Sequence, residues 1–259
     1  PGSGSHASCR PTVAAEPLRA DTPVELPVHG TAGQLWSGLL DLADAKPHGW
    51  TLVGALMVML HEFEAGTSSG RATADADTVV EARGITEAVR DMARQLLDLG
   101  WSLDDEQVDI EGHGYTFRRG AAALDLIAPE GLGARADLTT IPPLKAPALP
   151  GTRQALDRSQ HLAVVQGGRS GIIPRPNLLG TLVIKSCAAV HDRTAAAVRH
   201  REDLARLYSL VTDPAGLAKE TRKKDRQRLR AAPEPVWEIL TDPSGRASAQ
   251  LAYRHFTGV

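Results

Sequence analysis

The chain has 259 residues, which is enough to bury a sizeable core as one large domain or two small ones. Its 29 lysines and arginines nearly balance its 31 aspartates and glutamates, so the net charge of −2 gives no general indication of a polyanionic partner. With two cysteines and no apolar run of membrane-spanning length, the composition excludes a disulfide framework and a cysteine-based zinc cluster, and we expect a cytoplasmic protein without a membrane partner.

The first part of the chain alternates between helical and strand patterns. Residues 1–30, rich in Pro, Ala, Ser and Gly, are expected to form a flexible tail that is partly vector-derived. Residues 31–145 favour a mixed sheet flanked by helices, as in an α+β fold. The expected helices are "GQLWSGLLDLADA", "ALMVMLHEFEAG" and "ITEAVRDMARQLLDLG", the last with Thr86 as N-cap and Gly100 just beyond its end. The expected strands are "WTLVG", "ADTVVEAR", "QVDIEG", "YTFRRG" and "AALDLIAP".

The second part, residues 146–259, is expected to be a mostly helical domain with one small hairpin. A proline-rich linker at 139–153 separates it from the first part. The hairpin consists of "HLAVVQGG" and "SGIIPRP", and the longest helical pattern after it is "LLGTLVIKSCAAV".

Asp75 and Asp77 stand two residues apart at the start of the predicted strand "ADTVVEAR". Side chains at this spacing point to the same face of a strand, where two carboxylates repel each other. A divalent cation offsets that repulsion, and Mg²⁺ is typically held by one or two carboxylates together with substrate phosphates. Asp125 interrupts another apolar strand, where an unpaired carboxylate is costly. If the two strands are neighbours, three carboxylates converge on a metal site; otherwise Asp75 caps a turn and Asp77 faces solvent.

Three pieces in this order, "LVGALMVMLH", "RATADADTVV" and "LDL", resemble the nucleotidyltransferase superfamily of DNA polymerase β type. Within it, the chain is similar to the AbiEii-type toxins, which include the mycobacterial MenT enzymes. The segments "RPNLLGTLVIKSCAAVHDR" and "RHREDLARL" resemble the C-terminal helices of those toxins, with Lys185, Arg193 and Asp203 at the matching motif positions. The likeness covers roughly residues 33 to 212.

The resemblance implies a nucleotidyltransferase core over residues 31–145 and a Mg²⁺-dependent transfer of a nucleoside monophosphate from an NTP to an acceptor hydroxyl. For MenT-type toxins that acceptor is the tRNA 3′ end, so the resemblance implies tRNA as a partner and the toxin role of a toxin–antitoxin system, with a cognate antitoxin as a further expected partner. In a two-metal site of this kind, Asp75 and Asp77 would hold both metals, and Asp125 would complete the site near the nucleophile.

The NTP contacts implied by the resemblance come from both halves of the chain. Backbone N–H groups at Gly54 and Ala55 can face an anion at the start of a helix. Lys185, the only charge in its apolar run, is the candidate cation for the triphosphate, although a lysine whose stem lies on an apolar surface gives the same pattern. Asp203 lies 18 residues later, about 27 Å along an unbroken helix, so cooperation with Lys185 requires a turn. "HDRT" can supply it, placing Arg193 near the triphosphate or on the surface.

Two departures from the family pattern keep other functions open. Ala55 stands where the family has a second Gly or a Ser, and the Gly54 to Asp75 spacing is longer than is common. These departures favour a second hypothesis, a pseudoenzyme that binds NTP or RNA without turnover. Within the enzyme hypothesis, a protein or a small molecule such as an aminoglycoside is the alternative acceptor.

The segment "KETRKKDRQRLR", residues 219–230, holds seven basic residues against two acidic ones. Such a run is typical of a solvated helix face, and it could equally follow an RNA backbone. Arg199, His200 and Arg201 add positive charge close to the proposed site. Neither segment interleaves aromatic residues for stacking on bases, so neither indicates a module that reads RNA sequence.

Overall fold

The computed structural model describes residues 22–68, 70, 73–133, 136–194 and 197–258. It has the α+β fold that the sequence predicts. The strands are β1 (Val24–Glu25), β2 (Trp50–Val53), β3 (Asp75–Val80), β4 (Ser102–Leu103), β5 (Thr116–Arg119), β6 (Ala122–Pro129), β7 (Ala148–Leu149), β8 (Ser159–Gln166) and β9 (Arg169–Pro176). The helices are α1 (Gly30–Ala45), α2 (Gly54–Glu64), α3 (Ala88–Asp98), α4 (Thr152–Asp157), α5 (Leu178–His191), α6 (Ala197–Ser209), α7 (Pro214–Lys219), α8 (Lys223–Ala231) and α9 (Pro243–Thr257).

The larger sheet has the strand order β2-β3-β6-β5-β4, with β7 added beside the end of β6. Strands β3 and β6 are parallel neighbours in its centre, while β2 and β5 flank them in antiparallel orientation. Both central strands are largely buried, and their apolar residues belong to the main core. The condition that the two aspartate-bearing strands lie side by side is therefore met.

The smaller sheet confirms the predicted hairpin and extends it. Strands β8 and β9 pair in antiparallel orientation from Ser159 to Pro176, and β1 pairs with β8 in parallel. Residues 1–21 of the expected tail lie outside the described residues, whereas Val24 and Leu26 are buried against this sheet. Strand β9 also packs against β2 and α1, so the two sheets share one core. The division into domains at 31–145 and 146–259 stays a prediction.

Helices cover the second part of the chain after the hairpin, as the sequence predicts. Helix α5 is buried along most of its length and packs against α6 and α8. An aromatic cluster joins α6 to α9, with the rings of Tyr208 and Tyr253 packed edge to face at 5.4 Å. No helix in the described part of the chain is long and apolar enough to cross a membrane.

Two local predictions are wrong. The segment "QVDIEG" is not a strand, because the Asp109 carboxylate accepts hydrogen bonds from the backbone N–H groups of Glu111 and His113 and folds the segment into a turn. Thr86 is not the N-cap of α3, because the helix begins at Ala88 after Glu87, which has a left-handed conformation. Gly100 follows the end of the helix with a φ of 81°, as predicted.

Candidate active site

A cleft of about 980 Å³ opens between the larger sheet and the helices of the second part. One wall is formed by the start of α2 and the start of β3, and it carries Asp75 and Asp77. The opposite wall, called the basic wall below, is formed by α5 and α6 and carries the cations Lys185 and Arg199 together with His200, Asp192 and Glu202. The cleft therefore brings two carboxylates on one wall towards two cations on the other, which suits a ligand that contains both cations and phosphates.

Asp77 and Asp125 lie directly beside each other on the parallel strands β3 and β6. Each is only partly exposed, and Asp125 lies outside the cleft lining as described. Burial, followed by the negative charges of Asp77 and Asp75, raises the pKa of Asp125 to about 7. Two neighbouring carboxylates in this environment resist full ionisation, and a bound cation would relieve the repulsion between them.

Asp75 lies at the mouth of the cleft, where its side chain is exposed. The Thr73 hydroxyl donates a hydrogen bond of 2.6 Å to its Oδ1. This bond occupies one of the two carboxylate oxygens.

Gly54 places the Asp77 carboxylate against the start of α2. It has a φ of 69°, in the left-handed region that glycine adopts without strain, and a Cβ built on it would lie 2.6 Å from Asp77 Cγ and would overlap Oδ2. Val53, the N-cap of α2, provides no side-chain cap for the first-turn N–H groups. Gly54 and Ala55 both line the cleft, so the start of a helix, with its partial positive charge, faces the acidic site.

Lys185 and Asp203 meet as the sequence predicts, because α6 turns back along α5. Lys185 Nζ lies 2.8 Å from Asp203 Oδ2, and both side chains are buried. Lys185 also lines the cleft, whereas Asp203 is fully buried and lies behind it. Asp203 is therefore placed to hold the Lys185 ammonium in position rather than to contact a ligand itself.

Arg199 lines the cleft and contributes positive charge to the basic wall, whereas Arg193 is exposed and lies outside the described cleft lining. His200 Nε2 lies 3.2 Å from Asp192 Oδ2. Burial and the nearby charge of Lys185 lower the pKa of His200. The sequence predicted positive charge near the site at Arg199 and His200, and both residues line the cleft.

The carboxylate oxygens of this site suit a metal ion that takes its remaining ligands from the substrate. Among the described residues, no group of three or more His, Cys, Asp or Glu side chains is arranged to hold a metal ion. The Asp77–Asp125 pair nevertheless supplies two hard oxygen donors whose charges repel each other. Mg²⁺ commonly binds to one or two carboxylates and takes its other ligands from water and substrate phosphates, which matches such a pair.

Comparisons with solved structures find weak likenesses. A crystal structure of an antigenic nucleotidyltransferase-like protein from Paracoccidioides brasiliensis is similar with a TM-score of 0.47 and 13% identity, over 84% of this chain and 93% of that chain. The solution structure of the antibiotic-resistance factor ANT(2'')-Ia is similar with a TM-score of 0.34 and 15% identity, over 87% of this chain and 90% of that chain. No family model and no curated protein matches the sequence.

Proposed function

We propose that this protein is a nucleotidyltransferase that moves a nucleoside monophosphate from an NTP to an acceptor hydroxyl. The observation that carries the proposal is the Asp77–Asp125 pair beside the start of α2, with Asp77 lining a cleft whose opposite wall carries Lys185 and Arg199. The acidic pair alone would repel a triphosphate. Together with a divalent cation and the basic wall, it suits a metal-bound nucleotide.

Asp77 and Asp125 would hold Mg²⁺, with Asp75 at the mouth of the cleft as a further ligand. Bound there, Mg²⁺ would lower the pKa of the attacking hydroxyl and neutralise charge on the leaving pyrophosphate. The chain itself orients the nucleotide, because Lys185 is fixed by Asp203 and presents its positive charge at the cleft. Such fixed charges require no reorganisation during the reaction.

The acceptor we propose is the tRNA 3′ end, with the toxin role and the cognate antitoxin that the resemblance implies. This step rests on the resemblance of Lys185, Arg193 and Asp203 to the toxin motifs. The exposed Arg199 at the cleft also supports a polyanionic acceptor, because it adds a positive charge beside the NTP site.

The test is incubation of the protein with total tRNA, Mg²⁺ and each α-labelled NTP in turn, resolved on a denaturing gel. Asp77→Ala should abolish the label, since it removes one of the paired carboxylates. Asp98→Ala, at an exposed aspartate that ends α3, is the matched control and should retain the label. Label that survives Asp77→Ala would refute the assignment of the site.

The alternative acceptors are separated in the same assay. Label on added protein or aminoglycoside, with none on tRNA, would keep the transferase and replace the acceptor. Equal NTP binding by the wild type and Asp98→Ala without label on any acceptor would favour the pseudoenzyme. Expression of the wild type and Asp77→Ala in a bacterial host tests the toxin role, because only the wild type should arrest growth.

A further inference from the structure

The outer face of helix α8 concentrates positive charge that the proposed NTP site does not use. Arg222, Lys223, Arg226 and Arg230 are all exposed, although the whole chain has a net charge of −2. At 3.6 residues per turn they fall within a sector of about 100° around the helix axis. These four residues are called the α8 basic face below.

The neighbouring side of α8 fixes the helix to the rest of the protein. Asp225 and Leu229 are buried, and Arg158 donates a hydrogen bond of 2.6 Å to Asp225 Oδ2. The same carboxylate oxygen accepts a hydrogen bond of 2.9 Å from the backbone N–H of Arg222, at the start of the helix. The α8 basic face is therefore displayed by an anchored element.

Much of the charge on this face is not balanced locally. Lys224 and Arg228, on the flank of the helix, both form ion pairs with Glu130, and Arg222 lies 3.5 Å from Asp157. In contrast, Lys223, Arg226 and Arg230 take part in no ion pair with any residue that the structure describes. Three exposed cations thus remain available to an external anion.

Helix α8 lies directly behind the basic wall of the cleft. It packs against α5, which contributes Lys185 and Cys187 to that wall. Arg228 is close enough to Cys187 for its positive charge to counteract part of the rise that burial causes in the pKa of the thiol. Glu130, the partner of Arg228, donates its backbone N–H to the hydroxyl of Thr152, which also lines the cleft. These contacts come from the side of α8 away from the α8 basic face, so a strand bound on that face would pass around one helix, about 10 Å across, to reach the cleft.

We propose that the α8 basic face is the docking surface for the sugar–phosphate backbone of an acceptor RNA whose end enters the cleft. The row Arg222, Arg226 and Arg230 extends about 12 Å, which is on the order of four phosphates along one strand. The helix has no aromatic side chain, so it contacts the backbone and positions the RNA without reading its sequence. This inference rests on the proposed function, because it supplies the surface that the acceptor requires.

The experiment measures binding of a fluorescein-labelled RNA hairpin with a single-stranded 3′ end, by anisotropy and without NTP. The test variant combines Lys223→Gln, Arg226→Gln and Arg230→Gln. The control variant makes the same change in net charge on other elements, with Lys46→Gln, Arg94→Gln and Lys145→Gln. A third variant, Lys223→Arg with Arg226→Lys and Arg230→Lys, keeps the charge of α8 and controls for folding together with circular dichroism.

The α8 glutamine variant should weaken hairpin binding about tenfold or more and reduce the slope of log K against log salt by about 2 to 3, since each lost phosphate contact removes about one unit. The control variant and the charge-retaining variant should bind as the wild type does. Equal weakening by the control variant, or an unchanged slope in the α8 glutamine variant, would overturn the proposal. So would tighter binding of a labelled polyglutamate peptide than of the hairpin, since that result would assign α8 to an acidic protein.

The two proposals fail separately. Hairpin binding requires no turnover, so it can be measured on Asp77→Ala, which should bind RNA normally. Loss of tRNA labelling in the α8 glutamine variant, with NTP binding retained, would locate the defect in RNA docking. Absence of labelling by the wild type, with hairpin binding that depends on α8, would leave the docking surface standing and refute the transferase.

Discussion

Replacement of Gly54 by alanine tests whether the approach of Asp77 to the start of α2 organises the acidic site. The substitution has two separable effects. A φ of 69° is left-handed, which costs a residue with a Cβ about 1–2 kcal/mol. In addition, the new Cβ overlaps Asp77 Oδ2 and lies 2.6 Å from Cγ, so the carboxylate must move away from its position beside Asp125.

Gly66, just beyond the other end of α2, provides the matched control. Its φ is 70°, and a Cβ built on it meets nothing within 4 Å. Gly66→Ala therefore has the same backbone strain without the overlap, and it should lower the free energy of unfolding by about 1–2 kcal/mol. Gly54→Ala should lower it by at least as much.

Transfer activity should separate the two variants. A displacement of about 1 Å at a reacting group can cost about a hundredfold in rate, so Gly54→Ala should lose about that factor in the labelled-NTP assay. Gly66→Ala should retain transfer, because its strain lies away from the carboxylates. Unfolding is followed by urea titration at a temperature where both variants are folded. Equal transfer rates for the two variants would refute the argument that Gly54 is required for the position of Asp77.

The remaining predictions concern the other charged groups of the site. Lys185→Met removes the 2.8 Å partner of the buried Asp203 but leaves Arg206 at 3.5 Å, so urea titration should show a loss smaller than the about 3–5 kcal/mol of a fully unpaired buried charge. Adding Asp203→Leu should not restore transfer, and recovered transfer would contradict the role given to Lys185. In metal-free protein the folded state binds the Asp125 proton more tightly than the unfolded state, because its pKa is raised from 3.8 to about 7. Stability should therefore fall between about pH 4 and pH 7, by on the order of 4 kcal/mol, and stay level above. Asp125→Asn should remove this slope, and an unchanged slope would assign it to other groups.

The sequence predicted most individual helices and strands, because the spacing of apolar residues follows from which face of each element is buried. Strand β6 spans the whole of "AALDLIAP", and the hairpin of β8 and β9 lies where alternation and glycines placed it. The pair of Asp77 and Asp125 needed one further fact, that β3 and β6 are neighbours. Strand order depends on contacts between residues that are distant in sequence. The sequence therefore predicted that Asp77 and Asp125 converge only if their two strands are neighbours.

The parts that the sequence did not predict depend on such distant contacts or on side chains that replace regular hydrogen bonds. Strand β1 exists because β8 offers it an edge, although residues 22–30 have a composition typical of a tail. The turn at Asp109 exists because one carboxylate accepts two backbone hydrogen bonds. Which side chains of α6 face the cleft depends on how α6 folds back on α5, so positive charge at Arg199 and the return of Asp203 towards Lys185 were expected, but the burial of Asp203 behind the cleft was not.

A buried charge network at the base of the cleft explains how its two walls keep a fixed separation. Arg206 on α6 lies 3.5 Å from Asp203, the partner of Lys185, and 3.9 Å from Glu62 on α2. Helix α2 begins with Gly54 at the acidic wall, so the network joins that helix to both helices of the basic wall. Replacing such a network by well-packed apolar residues often leaves a protein equally stable or more stable. A gain in stability is therefore a poor explanation for the presence of the network. Under the proposed function, fixed geometry is the better explanation, because a metal-bound triphosphate between these walls would require both signs of charge at set distances.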